Sequence, residues 1–509
     1  MKIYAYAASG FTGRLVSVEV DIRRGIPGLD IVGLPDNAVR ESRDRVRVAL
    51  KRSGFKFPTD RILVNLSPAG LKKEGASYDL PIAIGILWAT DQVQFSNIPA
   101  VLCAGELLLD GTVCPVSGIL PAAAAAIAGG IDRFIVPERN IEEAKTLPNG
   151  RTVGIGHLSN LPSLLENGWK LAKQRNKSND DDSRLLYPNL SDLRGQPVLK
   201  RALETAAAGR HHLLIFGPPG SGKTMSARAF PSLLPDLESK TSLEVSRIWS
   251  QAGKLSAESG LLWRPPFREP HHSATMEGLV GGGYGTHPGE VSLSHAGVLF
   301  LDEAPEFGQK VLQSLREPLE LGKIEMARAG RHWWYPADFQ LQMAMNPCPC
   351  GNLGREDASC LCSLSEIRRY WRRLGGALLD RVDIRVPVSV ISPEELLKSA
   401  GEDSRTVQLR VAAAHAIQRE RYAGRSWNFN SEIPPGEINH HAVLDKNSTR
   451  CFLEAIRKLG LTSRAAHGVL RVSRTLADLE RREKIEIENV LEALQHRRYG
   501  DRDIFWTTL

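Results

Sequence analysis

The clearest chemistry in this chain lies in one run of residues: Gly217, Pro218, Pro219, Gly220, Ser221, Gly222, Lys223 and Thr224. Their spacing is G-x-x-x-x-G-K-[ST], the pattern of a phosphate-binding P-loop. An apolar run at 212–216 precedes it and predicts a buried strand, and residues 225–230 predict the start of a helix. In that setting the glycines let the backbone curl with its N–H groups pointing inward. The helix N-terminus adds partial positive charge. Lys223 would reach the β- and γ-phosphates of ATP, and the Thr224 hydroxyl would ligate Mg²⁺. The alternative is a glycine-rich turn with no ligand, but both context and spacing fit the P-loop.

Hydrolysis needs a second, acidic group. Val298-Leu-Phe-Leu301-Asp302-Glu303 supplies it: four apolar residues predict a buried strand, with two carboxylates at its C-terminal end. Asp302 would hold the Mg²⁺ through water, and Glu303 would polarise the attacking water. Alone, the segment could be a strand ending in a solvated acidic turn; a P-loop in the same chain favours the catalytic reading. A third cluster is Cys348-Pro-Cys350 with Cys360-Leu-Cys362. Four thiolates in a short loop could bind structural Zn²⁺ tetrahedrally. The alternative is four buried or reduced free thiols. Adjacent histidines cannot easily ligate one metal together, so His271-His272 and His440-His441 read as polar loop residues.

These groups must be held by a large α/β protein. The 509 residues carry a net charge of +7, and the length corresponds to about three domains. That charge permits a nucleic-acid partner without proving one. Seven cysteines, an odd count with four between 348 and 362, do not resemble a secreted disulfide framework. No apolar run is long enough to span a bilayer, and residues 1–7 are not a charged-then-apolar leader, so a cytoplasmic protein without a membrane partner is expected. The stretch 173–184 is polar and charged and reads as a flexible linker. The expected organisation is an α/β or α+β domain at 1–170, a linker at 171–189, a nucleotide-binding α/β core at 190–390 and a helical region at 391–509. Residues 324–335 read as a hairpin around Ala329-Gly330, with Arg328, Arg331 and His332 near its tip.

The motif set resembles the ComM/YifB-type competence proteins, magnesium-chelatase-like AAA+ ATPases. Besides the P-loop and Val298–Glu303 segments, it is carried by Asp192-Leu-Arg-Gly-Gln196, Phe267-Arg-Glu-Pro-His-His272, Leu279-Val-Gly-Gly-Gly283, Pro288-Gly-Glu-Val-Ser-Leu293, Met345-Asn-Pro-Cys-Pro-Cys-Gly351 and Leu378-Leu-Asp-Arg-Val-Asp383. The resemblance covers essentially the whole chain. It implies a homo-hexameric, ring-forming DNA motor that promotes branch migration during natural transformation. It also implies that Asn346 is the sensor-1 residue orienting the attacking water. A capping asparagine before Pro347 is the rival reading. Arg381 resembles an arginine finger reaching the neighbouring subunit's γ-phosphate. Arg464 resembles sensor 2, with Arg471 and Arg474 on the same predicted helix left as alternatives.

In the family picture DNA meets two segments: the insertion at 276–284 and the hairpin, where Arg328, Arg331 and His332 would grip phosphates without reading sequence. Trp333 and Trp334 could stack on bases, with at least one serving the core. Residues 368–373 read as a subunit interface. The N-terminal domain resembles the Lon-protease fold, with Ser77 matching the nucleophile. Leu120 stands where the activating lysine would be and cannot take a proton, which disfavours an ATP-dependent protease. A magnesium-chelatase motor subunit is the other rival.

Overall fold

The computed structural model describes residues 1–94, 99–166, 169–171, 187–256, 260–283, 287–328, 331–355, 357–396, 401–497 and 499. Of the expected linker, 172–186 lie outside the described residues, as do Tyr284 and the Ala329-Gly330 turn.

The N-terminal region is built on a mixed sheet of eight strands. Their spatial order is Lys170–Leu171, Arg151–Ile155, Arg133–Pro137, Ala100–Cys103, Lys2–Ser9, Thr12–Arg23, Arg61–Ser67 and Gly28–Val32. Side chains alternate across it. Ile3, Ala5 and Ala7 point to the face covered by helices Asn37–Arg52 and Asp79–Ala89. Tyr4 and Tyr6 point to the other, covered by helix Ile119–Ala128. Asp36 caps the first of these helices by accepting from the Val39 N–H at 2.8 Å.

The second core is a five-stranded sheet in the order Phe267–Arg268, Val298–Leu301, Gln340–Met345, Leu213–Phe216 and Ile384–Pro387, with every pairing parallel. Leu213–Phe216, Val298–Leu301 and Gln340–Met345 are buried along their whole length, the signature of a parallel sheet covered on both faces. Parallel strands present all their C-terminal ends at one edge. Residues 217, 302 and 346 therefore leave three neighbouring strands on the same side, where such sheets place their ligands. From residue 404 the chain is helical: Ser404–Arg421, Lys446–Leu459, Ser463–Leu479 and Ile487–Arg497. These helices share one apolar core with helix Pro197–Gly209, in which Leu203 and Ala206 pack with Val411, Val469 and Leu476. Among the described residues no helix is long and apolar enough to cross a membrane.

The two cores touch. The hairpin Lys323–Arg328/Arg331–Pro336 lies against the tight turn at Gly10. The Phe11 N–H donates to the Trp334 carbonyl at 2.8 Å, and Gln251 Nε2 donates to the Gly10 carbonyl at 2.7 Å. The Arg247 guanidinium sits 4.4 Å over the Phe11 ring. Gly10 has φ +63°, and a Cβ there would lie 2.8 Å from Trp333 Cβ, so only glycine permits this approach. Beside this contact, Ser250 Oγ donates to Glu143, whose other bonds include the Leu120 N–H at 2.8 Å.

Candidate nucleotide site

The P-loop turns on two left-handed glycines, Gly220 at φ +78° and Gly222 at φ +85°. Ser221 Oγ closes the turn by donating to the Pro218 carbonyl at 2.8 Å. Helix Lys223–Ala229 follows. The Lys223 ammonium is folded back onto the loop, donating to the Gly217 and Pro218 carbonyls at 2.7 and 2.8 Å and to Asn346 Oδ1 at 3.3 Å. Burial holds its pKa below the ordinary lysine value, while Asp302 and Glu303 pull it up.

Thr224 Oγ1 donates to Asp302 Oδ2 at 2.7 Å. A hydroxyl and a carboxylate this close form the hard-oxygen pair that suits Mg²⁺ beside a phosphate, so these residues fit the ion. Glu303 has φ +50°, a left-handed conformation costing a non-glycine residue about 1–2 kcal/mol. The Asp302 side chain steadies it by accepting from the Glu303 N–H at 2.9 Å. The Glu303 carboxylate is 60 % exposed, with His272 Nδ1 3.9 Å away and the ring centroids of His271 and His272 4.1 Å apart in a tilted arrangement. Five residues from three separate segments, Lys223 and Thr224, Asp302 and Glu303, and Asn346, thus line one edge of the sheet.

Arg381 and Arg464 are elsewhere. Arg381 donates to the Ala377 carbonyl and to Glu320, and Arg464 reaches the same Glu320 carboxylate at 3.4 Å. Among the described residues neither bonds a P-loop residue. Arg471 is committed to the Ile433 carbonyl at 3.0 Å, and Arg474 is buried against Asp478 at 3.0 Å. Of the three arginines on that helix, Arg464 is the one left half-exposed. Glu320 went unmarked in the sequence; only the fold shows two distant arginines meeting on it.

The four cysteine sulfurs lie within 4.8 Å of one another. Cys348 and Cys350 are 3.4 Å apart, Cys350 and Cys360 3.7 Å, and Cys360 and Cys348 3.6 Å. These spacings exclude a disulfide, which needs about 2.05 Å. Zn–S bonds of about 2.3 Å in a tetrahedron place sulfurs roughly 3.7–3.8 Å apart.

The hairpin brings Arg328 opposite Arg331 as its last paired residues; the side chains of both lie outside the described part of the structure. His332 is exposed, Trp333 is 7 % exposed and packs in the core beside Phe11, and Trp334 is 40 % exposed with its ring 5.3 Å from that of Phe11. In the insertion, helix Met276–Val280 leads to Gly281–Gly282, which pairs with His287–Pro288. A cavity of about 970 Å³ opens between the cores, lined by Ser77, Ser117 and Lys72 from one side and by Gly283, His287 and His332 from the other. Ser77 stands on its wall. Leu120 is buried in the apolar core under the sheet, and Lys73 is tied to the Gly33 carbonyl at 2.7 Å.

Three families match the chain: "Magnesium chelatase, subunit ChlI" over residues 189–396, "Subunit ChlI of Mg-chelatase" over 18–140 and "Magnesium chelatase, subunit ChlI C-terminal" over 401–497. Protein Rv2897c of Mycobacterium tuberculosis is 40 % identical over 503 residues, 98 % of this chain and 99 % of its own length. Protein YifB of Escherichia coli is 41 % identical over 97 % of this chain and 96 % of its own. Competence protein ComM of Haemophilus influenzae is 40 % identical over 97 % of each. The N-terminal region is also similar to Lon protease of Geobacter metallireducens, at 28 % identity over 146 residues. With near full-length identity of this order and a P-loop facing Asp302 and Asn346 on a parallel sheet, the chain belongs to the ComM/YifB family of magnesium-chelatase-like AAA+ ATPases.

Proposed function

We propose that this protein is a cytoplasmic, homo-hexameric, ATP-driven DNA translocase that promotes branch migration at recombination intermediates in natural transformation. One observation carries the reading. The second hairpin strand, Arg331–Pro336, runs through three residues into Gln340–Met345, which delivers Asn346 to the Lys223 ammonium. A change at the γ-phosphate can therefore be felt at the hairpin along a single stretch of chain. The name of the ComM relative supports the competence role.

In this mechanism Lys223 leaves its carbonyl partners for the β- and γ-phosphates. Mg²⁺, held by Thr224 and Asp302, would neutralise charge on the phosphate oxygens. Glu303 and Asn346 orient a water for in-line attack on the γ-phosphorus; the bond to the bridging oxygen breaks and ADP departs. Glu303 draws on the water's proton as the new P–O bond forms. Arg381 and Arg464 act together on the neighbouring subunit's nucleotide, in keeping with their shared carboxylate. The hairpin, through Arg328, Arg331 and His332, holds DNA phosphates. The thiols of Cys348, Cys350, Cys360 and Cys362 would hold a structural zinc ion.

Two rivals share parts of this architecture. A chelatase motor has the ATPase half, and a Lon-like protease would use Ser77, but Leu120 offers Ser77 no base. The deciding experiment compares ATP turnover alone, with branched DNA, with porphyrin plus Mg²⁺ and with unfolded protein. Stimulation by branched DNA and strand exchange on a synthetic four-way junction are expected. Stimulation only by porphyrin or by unfolded protein would overturn the DNA reading.

A further inference from the structure

Building on the zinc reading of the four thiols, we infer that the metal knot is the coupling element between the two nucleotide sites each subunit serves. It fixes Asn346 against its own P-loop and, through one helix, sets the position of Arg381 for the neighbour's.

The chain path makes the case. Met345 ends its strand, Asn346 follows, and Cys348 comes two residues later. On the other side Cys362 is followed directly by Ser363, which caps helix Leu364–Arg372 with a reciprocal Ser363–Glu366 capping box. That helix leads through the short helix Gly376–Leu379 to Arg381. A metal joining Cys348 and Cys350 to Cys360 and Cys362 therefore ties the residue after the sensor strand to the residue before the helix that leads to the finger.

Three contacts show that this tie bears on the nucleotide site. Gly351 has φ +79°, and a Cβ there would lie 3.0 Å from Pro219 Cδ and 3.9 Å from Asn346 Cγ, so the knot is seated on the P-loop itself. Trp371 Nε1 donates to the Pro347 carbonyl at 3.0 Å, binding the helix to the knot's first residues. The Trp371 ring stands edge-on to Phe216, the last residue of the P-loop strand, with centroids 5.2 Å apart. The sulfurs of Cys348, Cys350 and Cys360 lie 3.4–3.7 Å apart, near the spacing of a tetrahedral thiolate site, with Cys362 within 4.8 Å, and the Leu353 N–H points at Cys348 Sγ at 3.4 Å, the kind of outer hydrogen bond that orients a metal ligand. Without the ion, the contacts between residues 348–350 and residues 360–362 include weak thiol–thiol hydrogen bonds, from Cys350 to Cys360 and from Cys360 to Cys348.

The test uses full-length protein. Elemental analysis of wild type should give about one zinc per chain. Cys360→Ser/Cys362→Ser protein should lose it, keep a fluorescent ATP analogue bound with little change in affinity, and drop in kcat on the order of 10- to 100-fold, the range expected when catalytic groups are displaced by remote changes. Cys362→His, which can still ligate zinc, should recover most of the loss. The finger is isolated by mixing. Lys223→Ala subunits should restore turnover to Arg381→Ala subunits, whereas Lys223→Ala subunits that also carry Cys360→Ser/Cys362→Ser should not. Wild type without zinc would overturn the zinc reading itself. Zinc present, but equal restoration by both kinds of subunit, would overturn the coupling alone. Should the serine variant fail to fold, chelation of assembled wild-type rings followed by zinc return gives the same decision: kcat that does not move on chelation and return overturns the coupling.

Discussion

Arg381, just past the short helix Gly376–Leu379, and Arg464, in the first turn of helix Ser463–Leu479, share one carboxylate, that of Glu320. Two cations held together by a half-exposed anion are poised to exchange it for another anion. The Glu320–Arg464 contact is exposed enough to contribute little to stability on its own, typically under about 1 kcal/mol. If the incoming anion is the neighbour's γ-phosphate, Arg381→Ala subunits alone should lose hydrolysis and partly regain it when mixed with Lys223→Ala subunits. Turnover measured across mixing ratios of assembled rings checks this. No recovery at any ratio would place Arg381 at its own subunit's nucleotide.

The site separates binding from chemistry. If Lys223 is the cation that meets the phosphates, Lys223→Ala should lower both nucleotide affinity and turnover. Glu303→Gln keeps the shape and the left-handed turn but cannot draw a proton, so ATP should bind and persist while turnover drops by about 10²–10⁴-fold. Equilibrium binding and single-turnover hydrolysis on the two variants distinguish the steps. Rapid turnover by Glu303→Gln protein would remove Glu303 from its assigned role.

Arg331→Ala/His332→Ala addresses the DNA grip. If the hairpin holds phosphates, affinity should weaken alike for all sequences. The slope of log affinity against log salt should become shallower by about one for each phosphate the variant no longer grips. Junction migration should collapse. Wild-type migration by the double variant would move attention to the insertion at 281–283.

Burial holds the imidazoles of His212, His415 and His496 down at about 4, against an ordinary value near 6.5. His212 Nδ1 accepts from the Leu341 N–H at 3.0 Å, and His415 Nε2 bonds the Ala207 carbonyl at 3.0 Å. The folded state keeps all three neutral, whereas the unfolded chain takes up protons below about pH 6.5. Their contribution is therefore complete above that pH and is lost as pH falls towards 4. Urea midpoints at pH 7, 5.5 and 4.5 should fall in that order, with a shallower trend in His415→Gln protein.

Gly10 tests the contact between the two cores. Gly10→Ala adds a methyl into 2.8 Å of space beside Trp333 at a left-handed φ, a combination worth about 1–3 kcal/mol of strain. The hairpin should detach from the Gly10 turn, Trp334 fluorescence should change, and proteolysis between the cores should speed up. An unchanged cleavage rate and emission spectrum would mean that the turn tolerates the side chain.

Much of the architecture was legible in the chain itself, for a physical reason. A P-loop is built from contiguous backbone, and a fully buried parallel strand must be apolar at every position, so Leu213–Phe216 and Val298–Leu301 announce themselves locally. The hairpin and the C-terminal helices show in the same way, through turn residues and apolar periodicity. What only the tertiary structure decided are relations between distant residues. Which of Arg464, Arg471 and Arg474 stays half-exposed depends on Ile433 and Asp478 claiming the other two. That Glu320 joins two arginines, that Ser250 reaches Glu143 beside Leu120, and that four thiols close to metal-binding spacing over Pro219 are likewise set by packing across hundreds or tens of residues. Local pattern encodes a segment's own conformation and its buried face. It does not encode which polar side chain another segment will bring to it, because that choice is made only when the cores pack and every buried polar group must find a partner.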